Sequence, residues 1–249
     1  MAGEWIVNPF IYSQMHDVED KHWWFVARRQ IIQSVLSALK LPEGARILDV
    51  GCGTGGNLAM LQTFGVVSAM EMDDDARQMA NARQLAHVSP GRLPDGLLFP
   101  EQRFDLIVML DVLEHIEDDV ASLAELKSRL TANGRIVLTV PAFQALWGPH
   151  DVMHHHKRRY RAAHLQDVAR ASGLITEYIS YYNLWLFPLV ALVRLMQRFL
   201  PVKEQQALKL PVDGLNTLLT KIFASEQRLI PRRTLPFGVS LVAVLKSAA

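Results

Sequence analysis

The 249-residue sequence contains a single cysteine, Cys52. One thiol excludes a disulfide framework and any zinc or iron–sulfur site that needs several cysteines. A long apolar run is also lacking, because the longest, residues 184–193, is too short to cross a bilayer. No basic segment followed by an apolar stretch stands near residue 1, so we predict no signal peptide and a cytoplasmic location.

An excess of charge of one sign is missing as well. Lys and Arg number 26 against 25 Asp and Glu, which leaves a net charge of +1. We therefore expect no nucleic-acid partner. Half of the residues are apolar and 20% are charged, which is typical of a chain that folds, and the length suits one α/β domain over residues 1–249.

Short apolar segments alternate along the chain with amphipathic ones. The segments with strand character are 46–50, 66–71, 104–110, 135–140, 174–182 and 239–246. The segments with helix character are 13–40, 57–64, 74–86, 118–130 and 162–172, and Asn133–Gly134 is expected to stop the fourth of these helices. This alternation predicts an α/β fold whose mostly parallel sheet is doubly wound, with ligands at the carboxyl ends of the strands.

Two parts of the chain lie outside this alternation. Residues 1–40 are predicted to form an N-terminal helical cap. Residues 183–236 contain five prolines and precede the last strand, so we predict a helical insertion or lid there.

A glycine-rich loop, Asp49-Val-Gly-Cys-Gly-Thr-Gly-Gly56, follows the first predicted strand. Its glycines allow a tight turn and the close approach of a ligand to the peptide groups. Glu71 closes the second strand, 20 residues after Gly51, where an acidic side chain accepts hydrogen bonds from both ribose hydroxyls. The loop and Glu71 together predict an adenosine-type cofactor.

The combination of Asp49 with the glycines resembles motif I of class I S-adenosylmethionine-dependent methyltransferases. Segments 104–116 and 133–140 resemble the fourth-strand and fifth-strand regions of that family, so the resemblance extends over roughly residues 20–182. It implies a seven-stranded Rossmann-like sheet, S-adenosylmethionine as the cofactor and methyl transfer as the reaction.

The resemblance also implies roles for individual residues. The backbone of Gly51, Cys52 and Gly53 would approach the methionine and ribose portions of the cofactor. Asp49 would support its amino group, and Glu71 would hold the ribose. Further cofactor contacts are implied at Asn57, Met72, Leu93, Leu110 and Asp111, of which Met72 and Leu93 would touch the adenine.

Two other interpretations stay open at this point. The spacing of Gly51, Gly53 and Gly56 is also that of nicotinamide-dependent dehydrogenases. A chain that binds the cofactor without catalysis would be a regulator or a scaffold. A binding assay that compares S-adenosylmethionine with a nicotinamide cofactor distinguishes a methyltransferase from a dehydrogenase. Measured methyl transfer distinguishes an enzyme from a regulator or scaffold.

An aromatic segment, residues 22–25, precedes Arg28 and Arg29. The helix that carries it either caps the sheet, with its arginines reaching the surface, or forms a lid over the cofactor. It resembles a helix in a bacterial subgroup of these methyltransferases. In that helix Trp24 would cover the sulfonium, since aromatic faces attract cations, and Arg28 would pair with a carboxylate of cofactor or substrate.

Proton-accepting side chains follow two of the predicted strands. Glu114 and His115 come after the fourth strand, and residues 150–156 after the fifth contain four histidines and an aspartate. An oxygen acceptor must lose a proton during methyl transfer, either to a base or with the help of a metal. We predict His115 or His155 as the base.

A divalent metal is the second possibility at these strand ends. Asp111-x-x-Glu114-His115 resembles the metal motif of small-RNA 2′-O-methyltransferases, in which a later histidine completes the ligands. Here His154 or His155 would do so, and the predicted ligands are Asp111, Glu114, His115 and His155. The alternative is that Glu114 and His115 begin the next helix and the imidazole is merely packed.

Two charged segments bear on the acceptor. Residues 157–161 contain four positive charges, which form either a solvated face or a pocket for an anionic group. Residues 194–233 contain eight Lys and Arg against three Asp and Glu, directly after the apolar run. This combination predicts a lid, a homodimer interface, or a surface that rests on the inner face of an anionic membrane.

The chain as a whole resembles methyltransferases of cell-envelope polysaccharide or lipid pathways. We therefore expect the acceptor to be an oxygen on a small or lipid-linked molecule.

Overall fold

The computed structural model describes residues 9–99, 101–197 and 210–248. Its strands are β1 (Ala45–Val50), β2 (Gly65–Glu71), β3 (Val88–Pro90), β4 (Phe104–Leu110), β5 (Leu130–Pro141), β6 (Leu174–Tyr182) and β7 (Ser240–Ser247). They form one sheet in the order β3-β2-β1-β4-β5-β7-β6. The first five strands pair in parallel and β7 runs antiparallel to both β5 and β6, which confirms the seven-stranded, mostly parallel sheet.

Helices pack on both faces of this sheet. They are α1 (Pro9–Val18), α2 (Trp23–Ala38), α3 (Leu58–Gln62), α4 (Asp74–Ala82), α5 (Asp119–Ser128), α6 (Pro149–Met153), α7 (Ala162–Ala171), α8 (Phe187–Gln197) and α9 (Asp213–Ala224). Successive side chains of a strand point to opposite faces. In β4, Val108 accordingly belongs to the apolar cluster on one face and Met109 to the cluster on the other. The doubly wound prediction is confirmed.

The predicted helix 13–40 is instead two helices, α1 and α2. His22 stands before α2 with an extended backbone. Its Nδ1 accepts a hydrogen bond from the Trp24 amide at 3.3 Å. Because that imidazole caps α2, the chain changes direction between residues 18 and 23. The separation leaves α1 free to pack elsewhere on the domain.

Two further predictions differ from the structure. The strand β3 was not predicted, since three residues are too few to show a period-two pattern. Asn133 and Gly134 lie inside β5 rather than after α5, so the expected helix stop there is wrong. A Cβ on Gly134 would stand 2.7 Å from the Phe104 carbonyl oxygen, and the glycine therefore permits close strand pairing.

The segment between β6 and β7 is helical where it is described and contains α8 and α9, while residues 198–209 of the predicted insertion lie outside the described ranges. Its two ends are held together by Glu226, which is fully buried. The Glu226 carboxylate accepts hydrogen bonds from the amides of Asn183, Leu184 and Trp185 at 2.7, 2.8 and 3.1 Å.

The helix α9 packs along α2. The Asn216 side chain accepts from the Trp23 amide at 2.9 Å and donates to the Lys21 carbonyl at 2.9 Å. The ring of Phe223 lies 5.3 Å from that of Trp24. The insertion and the N-terminal cap thus share one apolar cluster with the sheet.

Candidate active site

The loop after β1 has the backbone of a ligand-binding turn. Gly51, Gly53 and Gly55 all adopt positive φ angles, of 69°, 56° and 83°. A Cβ on Gly51 would stand 2.7 Å from a methyl group of Val112, in the segment after β4. Glycine is required there both for the turn and for this close approach. The contact places the segment after β4 directly beside the loop.

Glu71, at the end of β2, holds the loop through its carboxylate. One oxygen accepts from the Gly53 amide at 2.8 Å and the other from the Asp73 amide at 2.9 Å. Burial raises the pKa of Glu71, and these amides oppose that rise. Each carboxylate oxygen has a second lone pair, so the group is suited to accept one hydrogen bond from each ribose hydroxyl.

Asp49 lies buried at the base of the loop. One of its carboxylate oxygens has no hydrogen-bond partner among the described residues, although the side chain is only 1% exposed. Burial raises the pKa of Asp49 to about 7. An unpaired buried carboxylate is costly and would be satisfied by a cationic amino group. The residue therefore fits the methionine end of S-adenosylmethionine.

The other predicted cofactor residues lie around the same loop or its neighbours. Burial raises the pKa of the Cys52 thiol, which disfavours the thiolate form that a nucleophile needs. Asn57 directly precedes α3, and its side chain forms no capping hydrogen bond. Met72 is exposed beside Glu71. The cofactor contacts of these residues stay predictions, as do those of Leu93, which packs on the core, and Leu110, which ends β4.

The helix α1 covers the glycine loop, which the sequence did not suggest. The Met15 methyl group lies 3.3 Å from the Cβ position of Gly53. Glu19 accepts from Thr54 Oγ1 at 2.6 Å and from Arg83 at 2.6 Å. Burial and then the charge of Glu71 raise the pKa of Tyr12 in the same helix. The helix α1 therefore lies over the glycine loop, and a lid over the cofactor stays a prediction.

Trp24 and Arg28 have partners that the sequence did not predict. The contacts of Trp24 are with Phe223 and Trp23, and its place over the sulfonium stays a prediction. Arg28 is buried, and its guanidinium lies 3.1 Å from Asp111 Oδ2. Asp111 Oδ1 also accepts from the Thr139 hydroxyl at 2.8 Å. The carboxylate that Arg28 binds is the chain's own.

Glu114, His115 and His156 form a compact group beyond Val112. One ligand atom of each lies within 4.8 Å of the others. Burial and then the charge of Asp111 raise the pKa of Glu114 well above its usual range. Burial and then the neighbouring imidazole of His156 lower the pKa of His115 to about 3. The His115 imidazole is therefore neutral near pH 7.

The structure corrects two members of the predicted metal set. His155 is exposed, with a positive φ of 54°, and it does not belong to the group; His156 takes its place. Asp111 is likewise outside the group, because it is bound to Arg28 and Thr139. His155 as the catalytic base stays a prediction, and His115 lies in the group.

The basic run 157–161 proves to be largely structural. Arg159 is buried, with Nε and a terminal nitrogen 2.8 and 3.0 Å from the two oxygens of Asp151. Arg158 lies 2.9 Å from Asp119, which also accepts from the Tyr160 hydroxyl at 2.8 Å. The two arginines already neutralise carboxylates, and the predicted anion pocket is not formed by them.

The helix α8 covers the turn that carries the histidines. A Cβ on Gly148 would stand 3.1 Å from a guanidinium nitrogen of Arg194, so this side chain points inward. Burial and then the charge of Arg159 lower the pKa of Arg194. Arg194 therefore does not offer its charge to the surface, while Arg198 lies outside the described ranges.

Together, the sheet with its antiparallel β7, the glycine loop and the carboxylate at the end of β2 define a class I S-adenosylmethionine-dependent methyltransferase. A family model described as a methyltransferase domain matches residues 23–199. The chain belongs to this methyltransferase-domain family, its cofactor is S-adenosylmethionine, and the dehydrogenase interpretation is set aside.

Two curated proteins illustrate how varied the acceptors of similar chains are. The chain is 31% identical over 140 residues to a tRNA U34 carboxymethyltransferase of Campylobacter hominis, covering 54% of this chain and 47% of that protein. It is 26% identical over 137 residues to a trans-aconitate 2-methyltransferase of Variovorax paradoxus, covering 54% and 49%. The chain thus spans about half the length of these relatives.

A solved structure is similar over nearly the whole chain. It is the methyltransferase in complex with the Trm112 methyltransferase activator of Haloferax volcanii, with a TM-score of 0.62 at 17% identity, covering 96% of this chain and 95% of that one. At this identity the likeness shows the fold.

Proposed function

We propose that this methyltransferase transfers the methyl group of S-adenosylmethionine to an oxygen of a small or lipid-linked acceptor. The observation that carries the proposal is the Glu114–His115–His156 group, which lies next to the cofactor loop through the contact between Val112 and Gly51. Proton-accepting groups at this place suit an acceptor that must lose a proton.

The reaction needs few groups from the protein. The acceptor oxygen attacks the methyl carbon, a C–O bond forms, and the C–S bond breaks with its electron pair passing to sulfur. S-adenosylhomocysteine remains, and the hydroxyl proton passes to a base. The chain's main task is to hold both reactants in line, with Glu71 and Asp49 on the cofactor side and the Glu114–His115–His156 group on the acceptor side.

The lipid-linked acceptor is supported by the outer face of α8. Leu189, Leu192, Val193 and Met196 recur at helical spacing, and each is 43–55% exposed. Arg194 and Gln197 occupy the opposite, inward side. No helix in the described ranges combines the length and apolar character that a membrane span requires. An exposed apolar stripe of this kind suits contact with a membrane surface, and its competitor is a homodimer interface.

The first experiment measures turnover directly. The protein is incubated with S-adenosylmethionine labelled in the methyl group and with small hydroxyl compounds or lipid-linked envelope precursors. Label in an ether or ester product supports the proposal. Transfer to nitrogen or to RNA would refute the assignment of the acceptor, and cofactor binding without any transfer would support the scaffold alternative.

The second experiment tests the membrane contact. Liposome flotation should show binding that requires anionic lipid and that falls when Leu192→Glu and Met196→Glu are combined. Val66→Glu, at a 67% exposed position on β2, is the matched control and should bind as the unchanged protein does. An unbound protein that sediments as a dimer, and becomes a monomer in the double variant, would establish the dimer interface instead.

A further inference from the structure

We propose that Glu114, His115 and His156 bind one divalent metal ion of the borderline class, such as Zn²⁺, Co²⁺ or Mn²⁺. Their ligand atoms lie within 4.8 Å of one another. Two ligands bound to one such ion at about 2.1 Å stand at most ~4.2 Å apart. Three ligands of one tetrahedral ion stand about 3.4 Å apart, so side-chain rotations that bring these atoms together by up to about 1.4 Å would complete the site. The meaning for catalysis rests on the proposed function, but ion binding does not.

Glu114 is the first argument for an ion. It is 0% exposed, and neither of its carboxyl oxygens has a hydrogen-bond partner within the part of the chain that the structure describes. A buried carboxyl group with two unpaired oxygens is costly. Its neighbours His115 and His156 lie with their rings 4.7 Å apart and perpendicular. A cation between the three side chains would supply the missing partner.

The second argument is the way His156 is held. Its Nδ1 lies 2.8 Å from Asp151 Oδ1, which leaves Nε2 as the ligand atom. Asp151 is itself buried and bound to Arg159 through both oxygens. Metal-binding histidines almost always donate their other ring nitrogen to such a carboxylate, which sets the tautomer and the orientation of the ring. Asp151, itself bound to Arg159, therefore already orients His156 as a metal ligand would be oriented.

The donor set decides which ion fits. Two imidazole nitrogens and one carboxylate oxygen suit Zn²⁺, Co²⁺, Fe²⁺ or Mn²⁺ better than Mg²⁺ or Ca²⁺, which prefer oxygen ligands. Three protein ligands also leave coordination positions open, as in catalytic rather than structural sites. The group adjoins Val112 and hence the cofactor loop, so an ion there would assist the loss of the acceptor's proton.

The test begins with the full-length, tag-free protein after treatment with chelator. Co²⁺ is added and followed by visible absorption, and Zn²⁺ and Mn²⁺ binding is measured by calorimetry. We expect one ion per chain. Glu114→Gln and His156→Ala should each weaken binding at least about a hundredfold, because each removes a ligand. Asp151→Asn should weaken it about ten- to a hundredfold, because it removes the support of His156.

The matched control is His155→Asn, which changes the adjacent exposed histidine at a positive φ that asparagine tolerates. Its ion affinity should stay within about twofold of the unchanged protein. Affinity for S-adenosylhomocysteine serves as the folding control for every variant. Should a ligand variant fail to fold, X-ray absorption of the zinc-loaded unchanged protein must show imidazole ligands.

Three results would overturn the proposal: no stoichiometric binding of any of these ions at millimolar concentration, full binding in folded Glu114→Gln and His156→Ala, or equal losses in His155→Asn. The two proposals remain distinguishable. Ion binding in a protein that methylates no oxygen acceptor would refute the function and leave the site, whereas oxygen methylation by ion-free protein would refute the catalytic use of the ion.

Discussion

Replacing Glu71 by alanine tests the cofactor side of the site most sharply. The substitution removes the acceptor for the Gly53 and Asp73 amides as well as the hydrogen bonds that we expect to the two ribose hydroxyls. Hydrogen bonds to a charged group contribute about 1.5–3 kcal/mol each. Since about 1.4 kcal/mol corresponds to a factor of ten, two such bonds amount to a hundredfold or more before water compensates.

We therefore expect the affinity for S-adenosylhomocysteine, measured by calorimetry, to fall between about ten- and a hundredfold. The fold should survive, because burial raises the pKa of Glu71 and its ionised form is less favourable in the folded than in the unfolded chain. Above the pKa that Glu71 has in the unfolded chain, ionisation of this carboxyl therefore opposes folding. Removing the carboxyl removes that opposition and does not lower the free energy of unfolding in this respect. Circular dichroism and thermal unfolding check this point.

Asp74→Ala is the control. Asp74 lies three residues further on, its side chain is 78% exposed, and it pairs with Arg77 rather than with the loop. Asp74→Ala removes one negative charge, as Glu71→Ala does, close to the end of β2. The affinity for S-adenosylhomocysteine should change by less than about twofold, as is usual for an exposed ion pair. An unchanged affinity in a folded Glu71→Ala, or an equal loss in Asp74→Ala, would refute the assignment of the ribose to this carboxylate.

Three more outcomes are expected. Burial raises the pKa of Asp49 to about 7, and a cationic amino group favours its ionised form, so the affinity for S-adenosylhomocysteine should rise with pH up to about 7. Calorimetry in two buffers should show that binding releases a proton. Asp49→Asn should abolish both the pH dependence and the proton release. Glu19→Ala should remove the acceptor for Thr54 and Arg83, loosen α1 from the glycine loop and speed S-adenosylhomocysteine dissociation in stopped flow by about tenfold, whereas the exposed Asp17→Ala should not. Asp151→Ala should lower the free energy of unfolding by roughly 3–5 kcal/mol in denaturant titration, since it leaves Arg159 buried and unpaired; a loss below 1 kcal/mol would contradict that ion pair.

The residues on the cofactor side of the site could be predicted from local sequence. Asp49 lies near the end of β1, the glycines follow that strand and Glu71 ends its neighbour β2, so parallel pairing alone brings them to one edge of the sheet. The alternation of apolar and amphipathic segments was likewise enough to predict the doubly wound sheet, because each long buried strand is visible in the sequence as an apolar run. The three-residue β3 was too short to carry one.

The acceptor side depended on tertiary contacts. Neighbouring histidines in one short segment are equivalent in sequence, and His156 rather than His155 faces Glu114 because Asp151, itself bound to Arg159, holds its ring. Arg28 meets Asp111 only because α2 packs across the ends of β4 and β5. In the same way, α8 turns Arg194 inward and its leucines outward once it lies over the turn at Gly148.

The sequence by itself thus determined the fold, the family and the residues of the glycine loop, because these follow from strand order and from residues adjacent in the chain. The tertiary structure alone decided which helix covers the glycine loop, which histidine joins Glu114 and which charges are already neutralised. Those choices depend on partners far apart in sequence, whose burial and hydrogen bonds exist only after the chain has packed.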